Sequence, residues 1–426
     1  MSQVVYSYNN LKLTNKIRAI IAGLVIIASY ISLMLFTKGQ VADKYYLSLN
    51  LLFIIFYLAI YNRSIYCAGT IIIYIALLAL LALVNSFYKS SYSSLRFIFS
   101  IVNLYIYLIF WRSVFINIIE GKFGSILTVA LNAFLVTLMI FQLLVPNWAS
   151  GVGGIRFSGG INPNTIAVFS LMCFVVSTAT AISLHERGLL KYSSVPIVAI
   201  FWSMSRSVLL SILVFFVFCI IPYLYMKGIV RFATISLFGV IVVFSGVFMF
   251  SLFDYGLFDF ILMRISNARS VETRMAAWNL LLEYFYLEPL FGGLGWWEGS
   301  RILSNVAEEL NSEREIIATS PHNLYVRLLA ETGLIGLAVI ISYPVLMIFS
   351  LFWKIRSRYL VECVKMKMLL FFSSVFIVCF LVREFFEDTY LVGAFDLSNF
   401  CFISCLGFAS AVLSRYRVIA NSRRMG

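Results

Sequence analysis

Apolar runs of about twenty residues recur along almost the whole chain, each separated from the next by a polar stretch. A helix rises about 1.5 Å per residue, so a run of that length crosses a hydrocarbon core of roughly 30 Å with every backbone hydrogen bond closed internally. Twelve spans are expected, at approximately 17–37, 46–61, 66–86, 97–111, 125–145, 163–184, 194–204, 207–226, 232–252, 324–352, 369–382 and 399–413. The first follows a polar start containing Lys12, Lys16 and Arg18; it is too long for a secretory signal and lacks a small-residue cleavage site, so it reads as a retained span. The seventh is short and ends at Ser205-Arg206, which suggests a helical hairpin over 194–226 whose tip does not fully clear the far side. Composition agrees: 62% of residues are hydrophobic and 12% charged, so water is not the main solvent. The expected fold is an all-α polytopic membrane protein with about twelve transmembrane helices. Helices 1 to 9 occupy 1–252, one large periplasmic loop occupies 253–321, and helices 10 to 12 with a cytoplasmic tail occupy 322–426.

Charge sets the orientation. A net charge of +13 would suit a nucleic-acid binder, but the basic residues are scattered in short loops and form no stripe, so no nucleic acid is expected. With the N-terminus inside, 19 of the 32 Lys and Arg fall inside and 13 outside. The bias is clearest in Lys354, Arg356, Arg358, Lys365 and Lys367 and in the tail with Arg415, Arg417, Arg423 and Arg424, which puts both termini in the cytoplasm. Beyond Lys89 the outside set is arginine alone: 96, 156, 206, 264, 269, 274, 301, 314, 327 and 383. Orientation requires only positive charge, whereas bidentate binding of phosphate oxygens requires the guanidinium fork.

None of the seven cysteines lies in the large outer loop, which argues against a disulfide framework or a zinc site there. Cys401 and Cys405 share a helix face and read as packing. The loop itself is long enough to be either functional or disordered, and Trp278, Trp296, Trp297 and a helical stretch favour folded.

Several outward segments carry candidate chemistry. His185 sits in a short inner loop and reads as solvated, whereas His322, in Pro321-His322-Asn323, opens the tenth span at the membrane surface. Arg327 and Glu331 follow it near the interface, four residues apart, where a mutual ion pair is the plain reading. Upstream, Glu272 to Trp278 begins an amphipathic helix that Pro289 and glycines 292, 293 and 295 terminate, with Arg274 and Trp278 on one face. A helix lying on the membrane with tryptophan at headgroup level is the structural alternative for that segment. Arg156 to Asn164, with its glycines and Asn-Pro-Asn turn, and Ser205-Arg206-Ser207 also point outward. Arginines can neutralise a lipid-linked diphosphate leaving group without a metal, and a histidine can accept a proton from an attacking hydroxyl, a contribution typically of about 10² to 10⁴ in rate.

In order and phrasing these motifs resemble the O-antigen polymerase and O-antigen ligase superfamily of bacterial membrane glycosyltransferases, over roughly residues 150–340. The most specific part runs from Pro321-His322-Asn323-Leu324-Tyr325 to Ala330-Glu331-Thr332-Gly333-Leu334-Ile335-Gly336-Leu337. The resemblance implies a fold like the C-type glycosyltransferases in the bacterial inner membrane, acting at the periplasmic face. It implies an inverting transfer with an undecaprenyl-diphosphate-linked oligosaccharide donor and no cofactor or metal. Carried over by position, His322, Arg206 and Arg274 would be catalytic, while Arg156, Asn164, Trp278, Asn323, Arg327 and Glu331 would bind substrate. The implied acceptor is a second lipid-linked repeat unit (polymerase, the preferred reading) or lipid A core (ligase), and membrane lipids and a chain-length regulator are the implied partners. A lipid-linked oligosaccharide flippase is the contrasting reading. A transporter would place charge along a midplane path, and the spans here are nearly free of charge.

Overall fold

A computed structural model describes residues 15–31, 54–55, 58, 69–88, 91–121, 123–145, 157–159, 162–184, 189–226, 268–311, 320–355, 364–387 and 397–425. The expected spans at 46–61, apart from three residues, and 232–252 lie outside the described residues. Twelve helices are described: α1 (15–31), α2 (Gly69–Tyr88), α3 (Ser91–Ile119), α4 (Gly124–Leu144), α5 (Pro163–Ser183), α6 (Leu189–Ser203), α7 (Arg206–Met226), α8 (Ala268–Leu287), α9 (Glu298–Asn311), α10 (Leu324–Ile355), α11 (Val364–Arg383) and α12 (Leu397–Met425). Six are long and apolar enough to cross a membrane, α3, α4, α5, α10, α11 and α12, which makes this a multi-pass membrane protein.

The helices sort by how much of each is apolar around its circumference. α5 is apolar all round, and from Ile166 to Ser183 every residue is buried, so it is the central post of the bundle. α4 buries Leu127, Leu131, Leu135 and Leu138 on one stripe and exposes Val129, Val136 and Ile140 on the other, as a helix between protein and lipid does. α12 packs most extensively on α3, where Gly407 is required because a Cβ there would clash with Trp111. That indole also donates to the Phe400 carbonyl at 3.0 Å. Buried hydroxyls mostly bond back within their own helix, as Ser170 does to the Ile166 carbonyl at 2.8 Å. Thr128 instead donates to Thr180 at 3.0 Å and ties α4 to α5.

One end of the bundle is held by basic residues. Lys365 donates to the Ser183 carbonyl at 2.6 Å at the C-terminus of α5, where a cation complements the helix dipole. Arg415 pairs with Glu120 at 3.6 Å, and Arg112 donates to Ser414 at 3.1 Å. The other end carries the outer-loop helices α8 and α9. These have their own small core of Ala277, Leu281, Leu294 and Leu303, closed by Ala330 of α10.

The single tenth span expected over 324–352 is a broken helix. Gly333 sits at φ 64°, ψ −166°, and splits α10 into a short N-terminal segment and a longer one. The longer segment, from Leu334 to Ile355, has the length to cross a membrane by itself, about 33 Å at the helical rise. The cause is tertiary. The loop after α8 supplies the missing acceptors, with Leu334 N–H bonded to the Pro289 carbonyl at 2.9 Å and Ile335 N–H to that of Leu290 at 3.2 Å, while Leu294 N–H returns to the Ala330 carbonyl at 2.9 Å. Gly292 makes the approach possible, since a Cβ there would lie 2.6 Å from the Ala330 carbonyl oxygen.

Candidate functional site

Three helix N-termini and one C-terminus meet at the outer-loop end. Asn162 caps α5, its side chain accepting from Asn164 N–H at 2.8 Å, with Pro163 preset for the first turn. The α6–α7 hairpin turns at Met204, φ 51°, so that α7 starts at Arg206 as the short seventh span led one to expect. Asn323 caps α10, accepting from Tyr325 N–H at 3.0 Å and Val326 N–H at 3.2 Å. The chain leaving α11 then folds under α10, where the carbonyls of Glu384 and Glu387 both accept from Leu324 N–H, at 2.9 and 3.3 Å.

Glu387 is the hub, and sequence reasoning missed it. Its carboxylate accepts from Asn164 Nδ2 at 3.2 Å and from Ser207 Oγ at 3.4 Å, and its other oxygen lies 3.5 Å from His322 Nδ1. That last distance is an electrostatic contact more than a close hydrogen bond. Burial pushes the Glu387 carboxyl up, but the His322 contact and the charges of Arg383, His322 and Arg274 outweigh it and hold the group below its ordinary value. A buried carboxylate is thus kept ionised beside a half-exposed histidine. The signal available in sequence was Arg383-Glu384-Phe385-Phe386-Glu387-Asp388, a cluster of acids at the outward end of a span in a chain with only 19 acidic residues.

His322 is held from behind. Its φ of 47° is in the left-handed region, uncommon for a residue with a side chain, and such strain persists only where the surroundings enforce it. One enforcing contact is Trp278 Nε1, which donates to the Pro321 carbonyl at 2.6 Å. Arg274, one turn before Trp278 on α8, therefore brings its charge to the side where it acts on Glu387. Arg206 is exposed at the start of α7, adjacent to Ser207. The structure thus gathers His322, Arg274, Asn164 and the Arg206-Ser207 turn around Glu387. Arg156 lies outside the described residues. Its chain neighbours Phe157 to Gly159 are threaded into the same end, Phe157 stacked on Trp202 at 5.2 Å and Gly159 accepting from the Tyr30 hydroxyl at 2.7 Å.

Arg327 and Glu331 face inward. Both are fully buried and pair at 3.8 Å, the plain reading of their spacing. The carboxylate also accepts from Gly299 N–H at 3.2 Å, at the start of α9, and the guanidinium lies 5.4 Å from the ring centroid of Trp296 and 5.8 Å from that of Trp297. Trp296 in turn stacks on Phe97 of α3 at 4.1 Å. This chain of contacts fastens the outer loop to the bundle. Among the described residues no three of His, Cys, Asp and Glu converge as a metal site, and Cys173, Cys379, Cys401 and Cys405 are buried and in no disulfide.

The geometry offers a basic surface of two arginines and three helix N-termini, whose positive dipole ends favour anions, beside a histidine oriented by a carboxylate. No curated protein matches the chain. Residues 192–341, which hold Arg206, Arg274, Trp278, His322, Asn323, Arg327 and Glu331 but neither Asn164 nor Glu387, match the family model described as O-antigen ligase, and this match supports the resemblance to the O-antigen polymerase and ligase superfamily.

Proposed function

We propose that the protein is an O-antigen polymerase, or the polymerase of a related surface polysaccharide, which joins undecaprenyl-diphosphate-linked repeat units at the periplasmic face of the bacterial inner membrane. The observation that carries glycosyl transfer is the gathering of His322, Glu387, Asn164 and Ser207 beside Arg274 and Arg206. In this reading Arg206 and Arg274, joined by Arg156, bind the diphosphate of the donor. Charge that develops on the leaving diphosphate meets guanidinium groups and helix N-termini already in position, which is the electrostatic part of catalysis. No metal or cofactor is needed for that neutralisation.

His322 takes the proton of the attacking acceptor hydroxyl. Glu387 orients the imidazole and stabilises the imidazolium that forms, as an ionised carboxylate beside a histidine does. Asn164 and Ser207 hold Glu387, Trp278 and Asn323 set the backbone on either side of His322, and the Arg327–Glu331 pair seats the loop that carries Arg274. A direct attack of this kind inverts the anomeric carbon. We read the bundle as twelve spans of the C-type glycosyltransferase kind, with both termini cytoplasmic.

The preference for polymerase rests on the Pro321-His322-Asn323-Leu324-Tyr325 phrasing, whereas the description of the matching family favours the ligase, which would pass the same donor to lipid A core. One experiment separates them. The gene is expressed in strains lacking their own polymerase or their own ligase, and lipopolysaccharide is resolved on a gel. A ladder restored in the polymerase-deficient strain is the expected result; a ladder restored only in the ligase-deficient strain makes the protein the ligase. In either case His322→Ala is expected to abolish the ladder with normal protein level in the membrane, and Arg274→Lys to weaken it, because charge is kept and the fork is lost. Full activity in both variants removes these residues from the site.

A further inference from the structure

At the end of the bundle opposite His322, a groove of about 280 Å³ opens between α2, α10 and α12. Its walls are apolar, formed by Ile73, Leu77, Leu346, Met347 and Leu413, and Tyr74 stacks on Tyr343 at 4.7 Å within it. Its rim carries two cations, Lys354 at the last turn of α10 and Arg417 on α12. Trp353, 81% exposed, stands beside Lys354, which marks the rim as the level of the membrane–water interface where tryptophan collects.

The two rim cations differ from their neighbours. Arg415 has Glu120, Arg112 has Ser414, and Lys365 has the carbonyls that end two helices. Lys354 and Arg417 meet no carboxylate among the described residues and repel each other across the groove; Lys354 has only the Tyr416 ring, 5.6 Å from its ammonium. The positive-inside rule accounts for basic residues at this end but not for two of them facing one apolar groove.

We propose that this groove is a binding site for one acidic glycerophospholipid of the inner leaflet, its phosphate between Lys354 and Arg417 and one acyl chain along the Ile73, Leu77 and Leu346 wall. The volume is at the lower edge of ordinary ligand pockets, which suits part of one chain and not a whole lipid. A net negative headgroup is required, because a zwitterionic lipid brings its own ammonium to two cations. The proposal holds whichever acceptor the enzyme uses.

The test is native mass spectrometry of the full-length protein, extracted in mild detergent and incubated with equal amounts of phosphatidylglycerol and phosphatidylethanolamine. Phosphatidylglycerol is expected to saturate at one tightly held copy per chain. The Lys354→Gln/Arg417→Gln double variant is expected to lose that preference by roughly 10- to 30-fold, since each basic residue near an anionic headgroup contributes about a factor of five. Leu346→Trp, at a lipid-exposed wall position that leaves the core untouched, is expected to weaken retention with both cations present, and Arg415→Gln to leave it unchanged. Equal retention of the two lipids by the wild type, or an undiminished preference in the double variant, overturns the proposal. So does retention by Leu346→Trp equal to the wild type.

Discussion

Glu387 shows how much one buried side chain can organise. It is the shared acceptor for residues from α5 and α7 and the charged neighbour of His322, so it links three elements that are far apart in sequence. Replacing it with Gln keeps an acceptor oxygen for Asn164 and Ser207 and removes only the charge. Transfer by Glu387→Gln is therefore expected to fall on the order of 10²-fold, at the lower end of what acid–base catalysis contributes. The same substitution tests the electrostatics without reference to activity. A carboxyl held below its ordinary value stabilises the fold above the ordinary carboxylate range and loses that contribution as pH falls through its own folded value. Thermal melts of wild type and Glu387→Gln in detergent are expected to differ most near neutral pH and to converge in acid. A difference that does not change with pH would mean that Glu387 acts by shape alone. The acid cluster around Glu387 was visible in the sequence but its partner was not, because His322 and Glu387 are 65 positions apart and only the end of α11 folding under α10 brings them together.

Among the elements, α10 separates what pattern reveals from what tertiary contact decides. Its apolar length, its Asn323 cap and the four-residue spacing of Arg327 and Glu331 are written locally, and the structure keeps all three. The break at Gly333 is not, because a glycine inside an apolar run is tolerated in membrane helices and nothing nearby forces it to kink. What forces it is the Pro289–Leu290 backbone, which takes the two freed N–H groups. Gly333→Ala should therefore cost about 1 to 3 kcal/mol from the backbone conformation alone, with more from the clash against Leu290. Gly121→Ala is the matched control, with φ 72° and open space for a Cβ, and should be milder. Unfolding midpoints in detergent give the comparison, and equal losses at the two glycines would mean that the Leu290 contact does not constrain α10. Glu331→Gln belongs to the same element. It leaves the Arg327 guanidinium buried without its carboxylate, which typically costs about 3 to 5 kcal/mol, and should detach the outer loop before the bundle melts. Protease sensitivity confined to the α8–α9 region in that variant is the expected sign.

At the scale of the whole molecule, the helices were legible because length and hydropathy are properties of the chain: described helices fall on ten of the twelve expected positions, and six of them are long and apolar enough to cross a membrane. Their arrangement was not. Nothing in the sequence pairs α12 with α3, a contact that depends on Gly407 fitting against Trp111 almost three hundred residues earlier. Sidedness lies between the two cases, since Lys365, Arg415 and Arg112 bind at one end while Arg274, His322 and the outer-loop helices gather at the other. If positive-inside counting orients this bundle, the His322 end faces the periplasm and the Lys365 end the cytoplasm. Two introduced cysteines decide it: Arg301→Cys, on the exposed side of α9 where the lost pair with Glu298 is a surface one, and Asn421→Cys, exposed near the end of α12. Cys173, Cys379, Cys401 and Cys405 are buried and so shielded from the reagent. With a membrane-impermeant maleimide applied to cells whose outer membrane alone has been opened, position 301 is expected to label at once and position 421 only after the inner membrane is lysed. The reverse pattern would put the arginine-rich site in the cytoplasm, where a donor exposed on the periplasmic leaflet cannot reach it, and the proposed reaction would fail on geometry before any residue was tested.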